Sequence, residues 1–257
     1  MNDNEIALLS DERIDVVNEQ LRLIQKKQGL TFGTDAFLLA AYIRKAPRAT
    51  AIELGSGTGI ISLLLASRAK LGHLWAVEIQ PAFADLITRN ITVNGFEEEI
   101  TPLCADLREL SPTQFGGEVD LVFSNPPYMR CDSGKRNLAD EKYIARHEVC
   151  GTIADFCRTA ARLLRYGGKF VTVWRPDRLT DLLNALHENG LEPKRMTLVY
   201  ADANAEPCMV LTEAVKGAAP SLRVSAPLLL YEPIGDPGAP RRLTAKAEEI
   251  YRSCAFD

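Results

Sequence analysis

The chain has only three histidines, and none of its six cysteines stands in a C-x-x-C pair. A metal centre built from these residues is not expected. Over 257 residues the scattered thiols read as reduced cytosolic cysteines, not disulfide staples. No apolar run reaches the ~18 residues of a membrane span. The polar, acidic start Met1-Asn2-Asp3-Asn4-Glu5 has neither the charge nor the apolar stretch of a leader peptide. The expectation is a cytoplasmic protein with no membrane attachment and no bound metal. A basic excess is missing as well: 30 Lys and Arg face 34 Asp and Glu, for a net charge of -4. That balance argues against general coating of nucleic acid but leaves room for a local basic surface.

What is present is the composition of an ordinary globular domain, 46% hydrophobic and 25% charged. Residues 1–20 read as an amphipathic helix on Ile6, Leu9, Ile14 and Val17, and residues 21–32 as a hairpin turning at Lys26-Lys27-Gln28-Gly29. Thr34 can then cap a helix over residues 36–43. From residue 49 strands alternate with helices. Strands are expected at 49–53, 74–78, 100–104, 120–124, 169–174, 196–200 and 208–213. Helices are expected at 60–69, 81–94, 153–164, 178–188 and 245–253. This alternation predicts an α/β fold with a parallel sheet covered on both faces.

Glu53-Leu54-Gly55-Ser56-Gly57-Thr58-Gly59 follows a strand and opens a helix, the setting of a nucleotide-binding turn. Ile60 stands where the dinucleotide fingerprint wants a glycine, and Glu53 disfavours an anionic pyrophosphate. A cationic ligand suits the turn better, and S-adenosylmethionine is one: adenosine, a sulfonium and an amino-acid end. Glu78 ends the second strand at the spacing of a ribose-gripping acid. Asp106, just past the third, is placed to accept from an adenine amine.

The fourth strand runs into Ser124-Asn125-Pro126-Pro127-Tyr128. Two prolines cannot continue a ladder, and they fix φ. The side-chain oxygen of Asn125 and the carbonyl of Pro126 are suited to accept the N–H bonds of a planar amine, while Tyr128 offers a stacking face. Beyond the motif, Arg130, Lys135 and Arg136 are candidates for RNA phosphate contacts within a charged stretch. A solvated loop is the alternative reading of that stretch.

With "GLTFGTDAFLLAAYI" (29–43), "ELGSGTGIISLLLA" (53–66), "AVEIQ" (76–80), "SNPPYM" (124–129) and "LLRYGGKF" (163–170), the chain resembles the class I S-adenosylmethionine-dependent methyltransferases. Within them it is similar to the methyltransferase small domain group, which includes valine-tRNA adenine-N6 methyltransferases. The resemblance implies a Rossmann-like, seven-stranded, mostly parallel sheet with helices on both faces and an antiparallel last strand. It implies that Thr34 and Asp35 lie beside the methionine end and the target pocket. Glu53, Gly55 and Gly57 would lie under the methionine with Gly59 also at the cofactor, Glu78 on the ribose, Asp106 on the adenine, and Asn125 and Tyr128 on the target. The expected organisation is an N-terminal extension, 1–48, contributing to the target pocket, and a methyltransferase unit, 49–257. The expected activity is methylation of an exocyclic amine, adenine N6 of a tRNA loop first, with protein glutamine-N5 or ribosomal-RNA guanine-N2 as alternatives.

Overall fold

Ile52 and Val122 face one side of a central sheet, while their strand neighbours Ala51 and Phe123 face the other, and all four are fully buried. Two buried faces require helices on both, which is why these strands read as nearly continuous apolar runs. A computed structural model describes residues 8–19, 21–27, 33–127, 151–233 and 240–256.

The parallel core is β3 (Ala46–Leu54), β4 (Leu71–Glu78), β5 (Ile100–Cys104), β6 (Val119–Ser124) and β7 (Leu164–Trp174). β9 (Pro207–Lys216) runs antiparallel between β7 and β8 (Leu191–Tyr200), so the long strands lie in the order β8-β9-β7-β6-β3-β4-β5. The seven expected strands and the antiparallel last one are therefore present. Two short strands, β10 (Arg223–Val224) and β11 (Leu228–Leu229), extend the sheet beyond β8.

One face is covered by α1 (Thr34–Tyr42), α2 (Ile60–Ser67), α3 (Pro81–Asn94) and the closing α6 (Ala245–Ser253); the other by α4 (Ile153–Leu163) and α5 (Leu179–Glu188). Local chemistry sets the boundaries. Pro81 opens α3 where no N–H is needed, and Gly95 ends it at φ +69°. Thr152 and Asp155 form a reciprocal capping box on α4. The Lys70 ammonium donates to the carbonyls of Ala40 (2.8 Å) and Cys254 (2.8 Å), tying the end of α1 to the end of α6.

The N-terminal reading needs correction. Glu12–Asn18 is a strand, β1, paired antiparallel with β2 (Leu21–Lys26), so the hairpin lies one element earlier than expected. The helical spacing of Leu9, Ile14 and Val17 was overridden by pairing: Ile14 sits opposite Ile24, and Val16 is left 74% exposed. Residues 1–7 and 28–32 lie outside the described residues. Docking on α3 fixes the hairpin. Asn90 exchanges bonds with Ile24 (2.6 and 3.0 Å), Asn94 with Arg22 (2.9 and 2.7 Å), and Arg89 grips Glu12 at 2.7 and 2.8 Å. Arg89 holds the Glu12 carboxyl at about 2, well below the ordinary carboxylate range. Gly33, not Thr34, is the cap of α1, and it makes no side-chain cap bond.

Candidate active site

In register, Glu53 lies beside Ala76 and Phe123, and Glu78 beside Cys104. The ends of β3, β4, β5 and β6 therefore share one edge of the sheet, the carboxyl edge where open α/β sheets bind ligands. Glu53, Glu78, Asp106 and Asn125 all sit there.

The glycine turn leaves β3 with three left-handed residues, Gly55 (φ +72°), Gly57 (φ +57°) and Gly59 (φ +81°). The amides of Gly55 and Ser56 donate back to the Val77 carbonyl at 2.9 and 3.0 Å, folding the turn over β4. A Cβ at Gly59 would meet Ile87 at 3.4 Å, whereas one at Gly57 would meet nothing within 4 Å. Open space lies above Gly57, so a ligand can approach its backbone closely.

Each acid does something different. Glu53, 1% exposed, accepts the amide of Ser62 at 3.2 Å and the Ser62 hydroxyl, satisfying a first-turn N–H of α2. Burial pushes its carboxyl up to about 8. Glu78 accepts from Gly57 (2.9 Å) and Gln80 (3.0 Å) at the mouth of the turn. Asp106 heads a short 3₁₀ turn, Leu107–Glu109, and the Arg108 guanidinium holds its carboxyl below the usual range.

Asn125 stands at the end of β6, and its base is pinned from both sides. The Ser124 hydroxyl donates to the Leu54 carbonyl (2.7 Å), and the Thr172 hydroxyl on β7 donates to the Ser124 carbonyl (3.0 Å). Pro126 is buried and Pro127 exposed. The Asn125 amide donates from Nδ2 to Asp35 Oδ2 at 2.9 Å, while its Oδ1 is buried with no partner among the described residues. A buried acceptor without a donor costs about 1–3 kcal/mol, which marks Oδ1 as poised for a ligand's N–H.

Asp35 also lines a cavity of about 240 Å³ with Thr34, Trp174, Arg175, Cys208 and Met209. This is below the roughly 300–1,000 Å³ of a pocket for a drug-sized ligand, so it suits one planar ring system better than a whole nucleoside cofactor. Trp174 is buried in the core and also walls this cavity, with its indole N–H on the Arg178 carbonyl at 3.0 Å. Cys208 and Met209 were missed as site residues; because β9 is antiparallel, its start and not its end meets the carboxyl edge. Ser124 and Thr172 were also missed, since their role depends on which strands neighbour β6.

Tyr128, Arg130, Lys135 and Arg136 lie outside the described residues. Among the described residues no group of three or more His, Cys, Asp or Glu is placed to hold a metal, and no helix is long and apolar enough to cross a membrane.

Three comparisons bear on this site. The family model of the methyltransferase small domain matches residues 26–189. The chain is 28% identical over 193 residues to a "tRNA1(Val) (adenine(37)-N6)-methyltransferase" of Bacteroides fragilis, covering 74% of this chain and 78% of the relative. It is 30% identical over 191 residues to the protein of that name in Parabacteroides distasonis, covering 73% and 77%. Among solved structures, a predicted O-methyltransferase of Agrobacterium tumefaciens aligns with TM-score 0.68 at 21% identity, over 86% of this chain and 97% of that one. TYW2 of M. jannaschii in complex with AdoMet aligns with TM-score 0.55 at 14% identity, over 82% and 89%. These last two share the fold. The glycine turn, the acids at successive strand ends and the Asn-Pro-Pro motif are thus held on a family's scaffold: the chain belongs to the methyltransferase small domain family.

Proposed function

We propose that this chain transfers a methyl group from S-adenosylmethionine to the exocyclic N6 amine of an adenine in tRNA. One observation carries the chemistry: the Asn125 Oδ1 is a buried acceptor without a donor among the described residues, at the edge where the glycine turn and three acids also stand. The curated relatives' names supply the substrate.

The residues fit the cofactor. The space above Gly57 admits close approach of a ligand, Glu78 offers carboxylate oxygens to ribose hydroxyls, and Asp106 stands past β5 for an adenine amine. When bound, S-adenosylmethionine supplies a methyl group activated by its sulfonium. The protein's part lies at the acceptor. An adenine amine is a poor nucleophile because its lone pair is delocalised into the ring. Asn125 Oδ1 and the Pro126 carbonyl, accepting its two N–H bonds, favour the localised lone pair. Their attraction grows as positive charge develops on nitrogen, so it stabilises the transition state more than the ground state. The prolines hold both acceptors still, and the 240 Å³ cavity beside Asp35 has room for the flipped ring. Residues 1–48 contribute Thr34 and Asp35 to that target side.

The test is methyl transfer from isotope-labelled S-adenosylmethionine to unmodified tRNA, followed by nucleoside mass spectrometry. N6-methyladenosine that disappears in Asn125→Ala, with cofactor binding retained, is the expected result. Label in ribosomal-RNA guanine or protein glutamine, and none in tRNA, would overturn the substrate.

A further inference from the structure

Gly33 is extended, with φ -116°, so no left-handed strain explains a glycine there. Space does: a Cβ at Gly33 would lie 2.8 Å from Oδ1 of Asp35. The carboxylate occupies that room, accepts the Ala36 amide through Oδ1 at 3.0 Å, and presents Oδ2 to the Asn125 Nδ2 at 2.9 Å.

An asparagine amide turns about a broad, roughly two-fold torsion, so nothing intrinsic tells its oxygen from its nitrogen. A carboxylate can only accept, and therefore only the NH₂ side of Asn125 can face Asp35. The oxygen is forced the other way, and it is the atom left buried without a partner among the described residues. The flipped amide would set N–H against the N–H of the target amine and leave Asp35 facing an oxygen.

We propose that Asp35 is a positioning residue that selects the amide orientation of Asn125, and that it is not a ligand of the cofactor's methionine end. The proposal rests on the reading that Asn125 Oδ1 accepts from the target amine. Gly33 belongs to the same device, as the residue that makes room for the carboxylate.

The test compares wild type with Asp35→Ala, Asp35→Asn and Gly33→Ala in three measurements: calorimetric S-adenosylmethionine affinity, kcat and KM on tRNA, and the side-chain amide NMR signals of Asn125, assigned by their loss in Asn125→Ala. Asp35→Ala is expected to leave cofactor affinity within about two-fold while kcat falls roughly 10- to 100-fold, the range of a lost charge-assisted bond. Asp35→Asn keeps the shape but not the acceptor-only character: with its oxygen held by the Ala36 amide its NH₂ turns toward Asn125, so it should be as impaired as Asp35→Ala. Gly33→Ala displaces the carboxylate without deleting it, and should lower kcat and shift the Asn125 signals. Cofactor affinity that weakens as much as kcat would overturn the proposal, as would an Asp35→Asn with the kcat of wild type. Asn125 signals unmoved in Asp35→Ala would overturn it whatever the substrate. Should wild type transfer nothing to tRNA, only the substrate reading falls, and the amide signals still decide the role of Asp35.

Discussion

Glu78 Oε2 accepts the amide proton of Gly57 at 2.9 Å, so the acid that ends β4 also closes the glycine turn leaving β3. One carboxylate thus shapes the turn and, on the proposed reading, would also bind the ribose. Glu78→Ala should weaken S-adenosylmethionine binding roughly 10- to 100-fold, since charged hydrogen bonds contribute about 1.5–3 kcal/mol each. Glu78→Gln, which keeps one acceptor oxygen, should lose less. Calorimetric titration checks this; equal affinity in wild type and Glu78→Ala would remove Glu78 from the cofactor site.

Gly57 and Gly59 separate binding from folding. Alanine at either pays the left-handed backbone penalty, about 1–2 kcal/mol. At Gly59 the new Cβ also presses on Ile87 at 3.4 Å, whereas at Gly57 it enters open space. Gly57→Ala is therefore expected to lose no more stability than that backbone penalty yet also lose cofactor affinity, because the methyl fills the ligand's approach. Gly59→Ala should lose more stability. The reverse ranking in thermal melts would contradict this geometry.

Asn90 couples the N-terminal hairpin to the cofactor turn. Its amide bonds Ile24 on β2 in both directions and also donates to the Thr58 carbonyl at 3.0 Å. Asn90→Ala strands buried backbone groups on both partners, and should cost about 2–4 kcal/mol in chemical denaturation. Weaker cofactor binding should accompany it. A variant with full affinity and lowered stability would show that hairpin and turn are energetically separate.

Glu53 should make the stability of the cofactor-free protein depend on pH. Burial raises its carboxyl from 4.5 in the unfolded chain to about 8 in the fold. The folded state then holds the proton more tightly. The stabilisation is fully present below 4.5 and is lost as pH rises through about 8. Glu53→Gln, neutral at every pH, removes that slope. Melting curves of the two proteins between about pH 5 and pH 8 should diverge as pH rises, and parallel curves would refute the buried, proton-bearing carboxyl.

Most of the parallel sheet was legible because its signals are local. Pro81–Asn94 and Ile100–Cys104 match their expected limits, since a proline, a glycine and an apolar run mark them. That Glu78, Asp106 and Asn125 share one edge was legible because strand ends in a parallel sheet fall together. The N-terminal strand was not: β1 gains its order from pairing with β2 and from Arg89, more than seventy residues away. The Asp35–Asn125 bond spans ninety residues, and no pattern in either segment announces it; resemblance placed Asp35 nearby but not on Asn125. Ser124, Thr172, Cys208 and Met209 depend on strand order, which periodicity does not encode.

The inverted strand β9 has an evolutionary consequence. Because it enters the sheet from the ligand edge, the short connection from Tyr200 to Pro207 hangs beside the cavity walled by Cys208 and Met209. Lengthening such a connection costs little, about 0.6 kcal/mol per doubling, and disturbs neither the strands that carry Glu53 and Glu78 nor the one that leads into Asp106. The architecture thus leaves that hairpin tip free to change length while the strand ends around the glycine turn stay fixed.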